Sequence, residues 1–282
     1  MKLNKDIFLY TAEDKLVTNK KFNIYSDLKL DIAWTDIGNE KDLSKYYRSE
    51  KYDSFKKTPL TFFDYLYNSV QSLMLRYKWK IIKKLIPRKF KSLDIGSGLG
   101  FFAEFCLKRG TDQSIVENNL KALKICKNKR LKSFSSINKI PNNLKFDLIT
   151  FWHSLEHIIN LNETLNKCDS LLDKNGFLVI AVPNINSFDS KHYMEKWAAL
   201  DVPRHLWHFT RKGIESLLKN KDFILIKSYP LFFDAFYIAY ISEKQNGTTF
   251  PFFKAILIGI ASNIKAFFSQ EHSSIIYVFK KN

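Results

Sequence analysis

Cysteine is scarce in this 282-residue chain, and its pattern limits the kinds of site that the protein contains. The three cysteines, Cys106, Cys126 and Cys168, lie far apart and form no CxxC pair. This spacing argues against a disulfide framework, an iron–sulfur cluster and a zinc site built from cysteines. The first residues also lack an apolar stretch of the length that a secretory signal requires. We therefore expect a cytoplasmic protein in a reducing environment.

Acidic residues and arginines are also few. The chain has 28 acidic residues against 45 lysines and arginines, a formal net charge of +17, but only seven of the basic residues are arginines. Arginine is the side chain that most often contacts base edges and phosphates in nucleic-acid complexes. The densest basic run, at residues 127–132, lies between a predicted helix and a predicted strand, where a solvated turn explains it. We therefore expect no specific nucleic-acid partner.

Strands and helices alternate along most of the chain. Apolar runs predict strands, and apolar residues at helical spacing predict the helices that connect them. Such an alternation is typical of an α/β protein with a parallel sheet. The predicted strands cover residues 91–95, 113–117, 131–134, 146–152, 176–182, 223–229 and 273–281, and the helices between them cover 99–109, 120–127, 161–172 and 211–219.

Three further segments surround this core. Residues 1–60 are polar, rich in tyrosine and weakly periodic, which predicts an N-terminal segment with a few short strands. Helical spacing over 62–86 predicts a cap helix, or two in succession, that ends at Pro87. The main domain is expected to cover 61–282 and also contains an insertion at 230–271, which is too long for a hairpin between two strands.

Glycine is scarce as well, with nine residues, and three of them fall in the segment LDIGSGLG at 93–100. The spacing of Gly96, Gly98 and Gly100 is GxGxG, whereas a dinucleotide-binding turn has GxGxxG. A phosphate-binding loop requires a GK[ST] sequence, which does not follow here. The next strand ends at Glu117, where an acidic side chain can accept hydrogen bonds from both ribose hydroxyls. The combination suits a nucleoside that carries an amino-acid tail.

Four segments together carry a family resemblance. LDIGSGLG, SIVENN, FDLITFWHSLEH and GFLVIAVPN stand in the order and spacing of class I S-adenosylmethionine-dependent methyltransferases, and the branch that they most resemble is that of bacterial ubiquinone-biosynthesis O-methyltransferases. The later segment PRHLWHFT is similar to that branch too. Many relatives carry a zinc-ribbon-like N-terminal segment, but this chain has no cysteine before Cys106, so the ribbon is degenerate or absent. The resemblance implies a doubly wound, Rossmann-like sheet of seven mostly parallel strands with an antiparallel last strand.

The same resemblance implies that S-adenosylmethionine is the cofactor and S-adenosylhomocysteine the product. Asp94 would contact the amino group of the cofactor, the glycine turn its carboxylate, and Glu117 its ribose. Asn118 and Ser136 would lie beside the adenine. The aromatic side chains at the end of the fourth strand would border the methyl group. The full set of expected cofactor-binding residues is Asp94, Gly96, Ser97, Gly98, Gly100, Glu117, Asn118, Ser136, Phe151 and Trp152.

Histidines form a second group of candidates. Five of the six fall between residues 153 and 208, in segments that follow strands. Histidine titrates near neutral pH and can remove the proton of a hydroxyl acceptor. We expect His153 or His205 to act as the base, Arg204 to orient an anionic group of the substrate, and His208 to belong to the same catalytic group. Each of these histidines has an ordinary structural alternative, the capping of a loop.

The segment HSLEH at 153–157 admits a different chemistry. It matches the H-x-x-E-H pattern of zinc peptidases, in which two histidines one helical turn apart bind zinc. A zinc-dependent hydrolase is therefore an alternative function, and a non-catalytic module that binds the cofactor is another. Metal is not required for methyl transfer. The resemblance implies that an acidic–histidine pair at this place can hold a divalent cation, and in this chain the pair is Glu156 and His157.

The sequence indicates the acceptor of the methyl group less clearly than it indicates the cofactor. The chain has TFWH where methylases of amides and exocyclic amines carry an [ND]PPY-like turn, which disfavours methylation of nucleic-acid bases. We expect O-methylation of a small or lipophilic acceptor. The run FPFFKAILIGIASNIKAFF at 250–268 is long enough for a membrane span, but Lys254, Lys265 and Pro251 favour a buried or lid helix, with peripheral membrane contact as the alternative.

Overall fold

The computed structural model describes residues 3–40, 42–47, 62–219 and 221–282, with side chains only from residue 68 onward in the first long helix. The part of the predicted N-terminal segment at 48–60 therefore lies outside the described residues. The chain divides into two compact units. Unit 1 comprises Met1–Tyr52, Leu155–Asn162 and Ile180–Phe279, and unit 2 comprises Asp53–Ser154, Glu163–Val179 and Lys280–Asn282.

Strands and helices are numbered in chain order. The strands are β1 (Ile7–Glu13), β2 (Lys21–Asp27), β3 (Ile32–Asp36), β4 (Lys91–Ile95), β5 (Asp112–Val116), β6 (Lys132–Phe134), β7 (Phe146–Trp152), β8 (Leu172–Pro183), β9 (Trp207–Phe209), β10 (Phe223–Pro230) and β11 (Ser274–Lys281). The helices are α1 (Phe62–Leu85), α2 (Phe101–Leu107), α3 (Leu120–Asn128), α4 (Leu161–Leu171), α5 (Phe188–Tyr193), α6 (Arg211–Lys219), α7 (Phe232–Gln245) and α8 (Pro251–Ser269).

Seven strands form the main sheet in the order β10-β11-β8-β7-β4-β5-β6. β4 pairs in parallel with both β5 and β7, and β5 pairs in parallel with β6. The sheet is mostly parallel with an antiparallel C-terminal strand, which confirms the predicted fold class. The chain order reverses its direction between β4 and β7, and in open α/β sheets this is where ligands bind, beyond the carboxyl ends of the strands.

The central strands are buried along nearly their whole length. Residues Ser92–Ile95 of β4 and Leu148–Phe151 of β7 are all buried. Strands covered by helices on both faces carry such continuous runs instead of alternating polar and apolar residues. α2 is shorter than the predicted helix over 99–109, because Gly100 adopts a left-handed backbone conformation with φ of 70° immediately before the helix.

A second, four-stranded sheet has the order β1-β2-β3-β9 and lies wholly in unit 1. β1, β2 and β3 pair antiparallel in succession, and β9 pairs antiparallel with β3 through the register Ala33 to His208. Alternate residues of β2, Phe22 and Ile24, enter an apolar core with Trp197. The sequence predicted short N-terminal strands but not β9, the three-residue strand that joins them.

The segment at 230–271 contains α7 and α8. α8 is long and apolar enough to cross a membrane by length and composition. The expectation of a buried helix is wrong for its outer face, because four of its large apolar side chains are at least 67% exposed. These are Phe253, Leu257, Phe267 and Phe268.

Candidate functional site

The glycine turn between β4 and α2 has an unusual backbone. Gly96, Gly98 and Gly100 have φ values of 70°, 55° and 70°, in the left-handed region that favours glycine. A Cβ atom on Gly96 would lie 2.4 Å from the Cβ of Ser154, so this position tolerates no side chain. A Cβ atom on Gly98 would meet nothing within 4 Å. No described atom therefore blocks the backbone on this side of Gly98, as close approach of a ligand requires.

Glu117 binds directly to this turn. Its Oε2 accepts a hydrogen bond from the Gly98 amide at 2.7 Å, and its Oε1 accepts one from the Asn119 amide at 2.8 Å. Burial raises the pKa of the Glu117 carboxyl. An ionised carboxylate has about four lone-pair sites, so each oxygen retains capacity for one more donor. Two neighbouring hydroxyl groups, such as those of a ribose, match that capacity.

Asp94 is the second carboxyl of this region. It is buried near the end of β4, where its Oδ1 accepts a hydrogen bond from the Thr150 hydroxyl at 2.7 Å. Burial raises the pKa of Asp94 to about 7, although the hydrogen bond from Thr150 and the charge of Lys78 oppose this effect. A cationic group bound nearby would favour the ionised form. The ammonium of an amino-acid tail is such a group.

Strand register brings these residues to one edge of the sheet. Ile95 lies opposite both Val116 and Phe151, and Val116 lies opposite Phe134. The parallel strands β4, β5, β6 and β7 therefore end together. The residues that follow them, the glycine turn, Glu117 and the turn at 135–137, lie on that edge of unit 2. The structure thus brings together the core of the expected cofactor-binding set.

The remaining expected cofactor residues divide into two groups. Ser97 and Asn118 adjoin Gly98 and Glu117 in sequence, and Ser136 caps the 3-10 turn Ile137–Lys139 by accepting from the Asn138 amide. Gly100 and Phe151 are instead explained by packing. A Cβ on Gly100 would lie 2.8 Å from Leu131 and 2.9 Å from Cys126, and Phe151 is fully buried within the sheet.

Trp152 ends β7 at this edge. Its ring packs edge-on against Phe102 with ring centroids 5.0 Å apart, and the Lys78 Nζ lies 4.3 Å from its ring centroid. The indole Nε1 is buried and has no acceptor within hydrogen-bond distance among the described residues. A buried indole N–H normally finds a partner. Trp152 is therefore equipped to donate to a ligand acceptor.

A separate histidine cluster lies within unit 1. Glu156, His157 and His205 each offer a ligand atom, and these atoms lie within 4.8 Å of one another. The Nδ1 of His157 is 3.0 Å from the Arg204 carbonyl, and the Nδ1 of His205 is 2.8 Å from the Ala199 carbonyl. Carbonyls only accept, so each Nδ1 carries a hydrogen, and Nε2 is the nitrogen that each ring could offer to a ligand.

Burial lowers the pKa of His157 to about 4, which keeps this ring neutral at physiological pH. Neutral imidazoles whose other nitrogen donates to a carbonyl are the usual form of histidine metal ligands. The set of two imidazole nitrogens and the buried Glu156 carboxylate therefore fits a divalent cation. The sequence pointed to Glu156 and His157 for this purpose but did not identify His205 as the third member.

The zinc-peptidase interpretation of HSLEH is not supported. His153 directly follows β7 with a left-handed φ of 53°, and only a single 3-10 turn, Leu155–His157, comes after it. The peptidase pattern needs both histidines one turn apart on an α-helix. His153 and His157 therefore cannot form that pair, and they belong to different compact units.

Arg204 has a structural role instead of the expected role in orienting a substrate anion. Its side chain is 1% exposed. The guanidinium donates to Asp201 at 2.7 Å, to the buried Asp14 at 3.0 Å and to the Tyr46 carbonyl at 3.1 Å. A substrate anion would have to displace these partners. Asp14 is 190 residues away in sequence, so no local sequence pattern predicts this ion pair.

His208 also lies inside the protein, on β9. The Thr35 hydroxyl donates to the His205 carbonyl at 2.7 Å, so the His208 Nε2 at 2.9 Å must donate to the Thr35 oxygen. Burial lowers the pKa of His208 to about 3. A neutral, buried imidazole that already donates one hydrogen bond to the second sheet links β9 to β3. The structure therefore supports a structural role for His208 instead of the expected catalytic one.

Comparison with known proteins identifies the family. The sequence profile described as "Methyltransferase domain" matches residues 70–228, more than half of the chain. No curated protein matches the sequence. Among solved structures, magnesium protoporphyrin IX methyltransferase from Synechocystis PCC 6803 with bound S-adenosylhomocysteine is similar with a TM-score of 0.53 at 10% identity, over 80% of this chain and 90% of that one.

Two further structures show the same fold. A SAM-dependent methyltransferase from Archaeoglobus fulgidus has a TM-score of 0.52 at 17% identity, over 78% of this chain and 100% of that one. The plantazolicin methyltransferase BpumL has a TM-score of 0.50 at 17% identity, over 76% of this chain and 85% of that one. The narrower resemblance to ubiquinone-biosynthesis O-methyltransferases is not confirmed. The chain belongs to the methyltransferase-domain family and is a class I S-adenosylmethionine-dependent methyltransferase.

Proposed function

We propose that this enzyme transfers the methyl group of S-adenosylmethionine to a hydroxyl oxygen of a small or lipophilic acceptor. The observation that carries the proposal is the hydrogen bond between the Gly98 amide and Glu117 beside the bare backbone of the glycine turn. It provides a site for the ribose next to a surface that the amino-acid tail can approach. Asp94, Gly96, Gly98 and Glu117 are the residues that we assign to the cofactor.

The cofactor supplies an electrophilic methyl group, so the protein needs no covalent nucleophile. Its task is to align the acceptor oxygen with the S–CH₃ bond. In the transfer, the oxygen forms the new bond to carbon, the bond from carbon to sulfur breaks, and S-adenosylhomocysteine leaves. The hydroxyl proton passes to a base. Trp152 and Phe102 form an aromatic wall at the same strand end, which favours an apolar acceptor group.

His153 is our choice of base over His205. It is the residue immediately after Trp152, in the same unit as the assigned cofactor residues, and its left-handed backbone turns the chain away from the strand direction. A sterically costly backbone conformation in a non-glycine residue often marks a functional position. His205 is committed to the cluster with His157 and Glu156.

The structures with this fold are named for acceptors as different as magnesium protoporphyrin IX and plantazolicin. The fold alone therefore does not select the acceptor. For this chain, the absence of an [ND]PPY-like turn after β7 favours oxygen over an amide or exocyclic amine. The aromatic pair Phe102 and Trp152 favours an apolar acceptor over a highly polar one.

The experiment is a transfer assay with acceptors that share one apolar scaffold and differ only in carrying a hydroxyl, an amine or a carboxyl group. We expect S-adenosylhomocysteine to form fastest with the hydroxyl series and the rate to increase with scaffold size. Preference for the amine series would contradict O-methylation.

The base is tested in the same assay with the best acceptor. The His153→Ala variant should lose roughly 10²- to 10⁴-fold in kcat, the usual contribution of a general base. Its affinity for S-adenosylhomocysteine should stay unchanged. The exposed His192, replaced in the same way, is the matched control and should retain full activity. A loss in His205→Ala with normal rates in His153→Ala would contradict this assignment.

A further inference from the structure

The outer surface of α8 is a continuous apolar face. We use the name "α8 apolar face" for six large side chains that recur at spacings of three and four residues. At 3.6 residues per turn they fall within an arc of about 100°. The six are Phe253, Leu257, Ile260, Ile264, Phe267 and Phe268, with exposed fractions from 45% to 81%. Contiguous exposed apolar surface of this kind marks an interaction site in soluble proteins.

The opposite side of α8 is fixed to the rest of unit 1. Its buried residues are small: Ala255, Gly259, Ser262 and Ala266. A Cβ on Gly259 would lie 2.4 Å from the Phe236 ring of α7, so the two helices are in close contact. This side of the helix is therefore packed against protein and is not available to lipid.

A buried polar anchor reinforces this attachment. The carboxylate of Asp189, which is fully buried, accepts hydrogen bonds from Ser262 of α8 at 2.8 Å, from the Trp197 indole at 2.8 Å and from Ser273 at 2.7 Å. Because the polar contact at Ser262 lies on the inner side, α8 can be half immersed in an apolar phase but not surrounded by it. An interfacial helix fits this arrangement, and a spanning helix does not.

Charge selects the occupant of the α8 apolar face. The sequence from 247 to 270 contains no acidic residue, and its two charged residues are Lys254 and Lys265. At 100° per residue both lysines lie along one border of the apolar arc, where their long side chains can reach a headgroup layer. The chain as a whole carries +17. A second copy of the chain would bring like charge to this border, whereas an anionic lipid surface brings the opposite charge.

We propose that the α8 apolar face docks the enzyme onto anionic lipid membranes as an in-plane, interfacial helix. Phenylalanines stand at both ends of the helix, Phe252 and Phe253 at the start and Phe267 and Phe268 at the end. Basic residues beside a face of phenylalanine and leucine are typical of helices that lie in the headgroup layer. The neighbouring Phe232 of α7 is also exposed, and its carbonyl accepts from Asn263 of α8 at 3.0 Å, which extends the apolar surface.

The test is flotation of the full-length protein with vesicles of phosphatidylcholine alone or with about one third phosphatidylglycerol. We expect the wild type to float with the anionic vesicles. The double variant Leu257→Glu/Phe267→Glu should lose at least roughly tenfold in the bound fraction, because it places two charges in the apolar face. Both side chains are exposed, so the change leaves the packed side of α8 intact.

The matched control is the double variant Leu28→Glu/Ile159→Glu, which makes the same change in charge and also replaces two large apolar side chains at exposed positions elsewhere in unit 1. It should float like the wild type. Equal losses in the two variants would overturn the proposal, since net charge alone would then explain the binding. Failure of the wild type to float with anionic vesicles would overturn it too.

A measurement without lipid tests the alternative occupant of the α8 apolar face, a second copy of the chain. Light scattering should show the same mass for the wild type and the Leu257→Glu/Phe267→Glu variant. A wild-type dimer that this variant converts to a monomer would assign the face to a second copy and overturn the proposal. Methyl transfer is not part of these measurements, so their outcome is independent of the acceptor proposed above.

Discussion

Asp94 and Glu117 differ in what they offer a bound cofactor. Glu117 already has a backbone amide on each oxygen, which holds its carboxylate in place against the glycine turn. Asp94 has one hydroxyl partner, Thr150, and its burial raises its pKa to about 7. The first is a fixed acceptor for hydroxyl groups. The second is a buried group whose charge depends on the nearby presence of a cation.

The raised pKa of Asp94 predicts a pH dependence of cofactor binding. If the carboxylate pairs with the ammonium of S-adenosylhomocysteine, binding requires the ionised form and weakens as the pH falls below about 7. The dissociation constant should increase by roughly tenfold between pH 8 and pH 6. Titration calorimetry at both pH values measures this change.

The Asp94→Asn variant should bind more weakly at pH 8 and should lose this pH dependence, because the amide does not titrate. Asp112→Asn, a change at an exposed aspartate at the start of β5, is the control and should behave as the wild type does. A wild-type affinity that is constant from pH 6 to pH 8 would contradict the assigned role of Asp94.

Buried histidine predicts acid sensitivity of the fold. The pKa of His208 is about 3 in the folded protein and near 6.5 in the unfolded chain, so the unfolded chain binds more protons between these values. The stability contributed by the neutral ring is fully present above about pH 6.5 and is lost as the pH falls toward 3. Glu156, Asp201 and His205 are the titratable neighbours that act on this ring.

Urea unfolding at pH 7 and pH 5.5 tests the loss of stability that we expect from His208 at low pH. Between pH 7 and pH 5.5 the free energy of unfolding of the wild type should fall by about 1 kcal/mol more than that of His208→Gln. In this variant the titrating group is absent, but an N–H donor for Thr35 is kept. The same loss in both proteins would show that His208 is not the group responsible.

Two glycines of the turn after β4 have different roles, since Gly96 is a packing position and Gly98 is a position that a ligand can approach. Gly96 lies against Ser154, whereas Gly98 faces open space. Gly96→Ala should therefore lower the melting temperature strongly, because it adds a clash to the left-handed strain. Gly98→Ala carries the strain alone, about 1–2 kcal/mol, and should mainly weaken binding of S-adenosylhomocysteine. Thermal unfolding and calorimetry of the two variants give the comparison. Equal effects on stability would contradict it.

The same elements show what sequence can predict. The strands around β4 and β7 are continuous apolar runs, so the local pattern is sufficient to place them, whereas the assignment of the cofactor site to the glycine turn and Glu117 stays a prediction. β9 was missed because three residues carry no periodicity and its partner, β3, is about 170 residues away. The pairing of Arg204 with Asp14 was missed for the same reason, and Arg204 was given a substrate-binding role. Long-range contacts decide which polar residues are buried.

Binding to an anionic membrane would explain two features of the whole molecule together, the net charge of +17 and the α8 apolar face. Lysine carries nearly all of the positive charge, and the apolar face is bordered by lysines instead of acids. Neither feature alone indicates a partner. Together they suit a surface that is anionic at its headgroups and apolar just below them, and a lipophilic methyl acceptor would be found in such a phase.

This explanation predicts a salt dependence. Raising the salt from roughly 0.1 to roughly 0.5 M shortens the screening length by about half and should reduce the fraction bound to anionic vesicles. Affinity for S-adenosylhomocysteine in the absence of vesicles should change little, since the contacts that we assign to that ligand are short-range. Vesicle binding that does not respond to salt would contradict the part assigned to the lysines.

We infer that the turn after β4, together with Glu117, holds the cofactor. The most direct test is calorimetric titration of the wild type, Glu117→Gln and Glu163→Gln with S-adenosylhomocysteine. Glu163 is an exposed residue of α4 and serves as the matched control. We expect one site per chain and a loss of affinity of roughly 10- to 100-fold for Glu117→Gln only, since hydrogen bonds to a charged group are lost. Undetectable binding by the wild type, or unchanged affinity in Glu117→Gln, would contradict it.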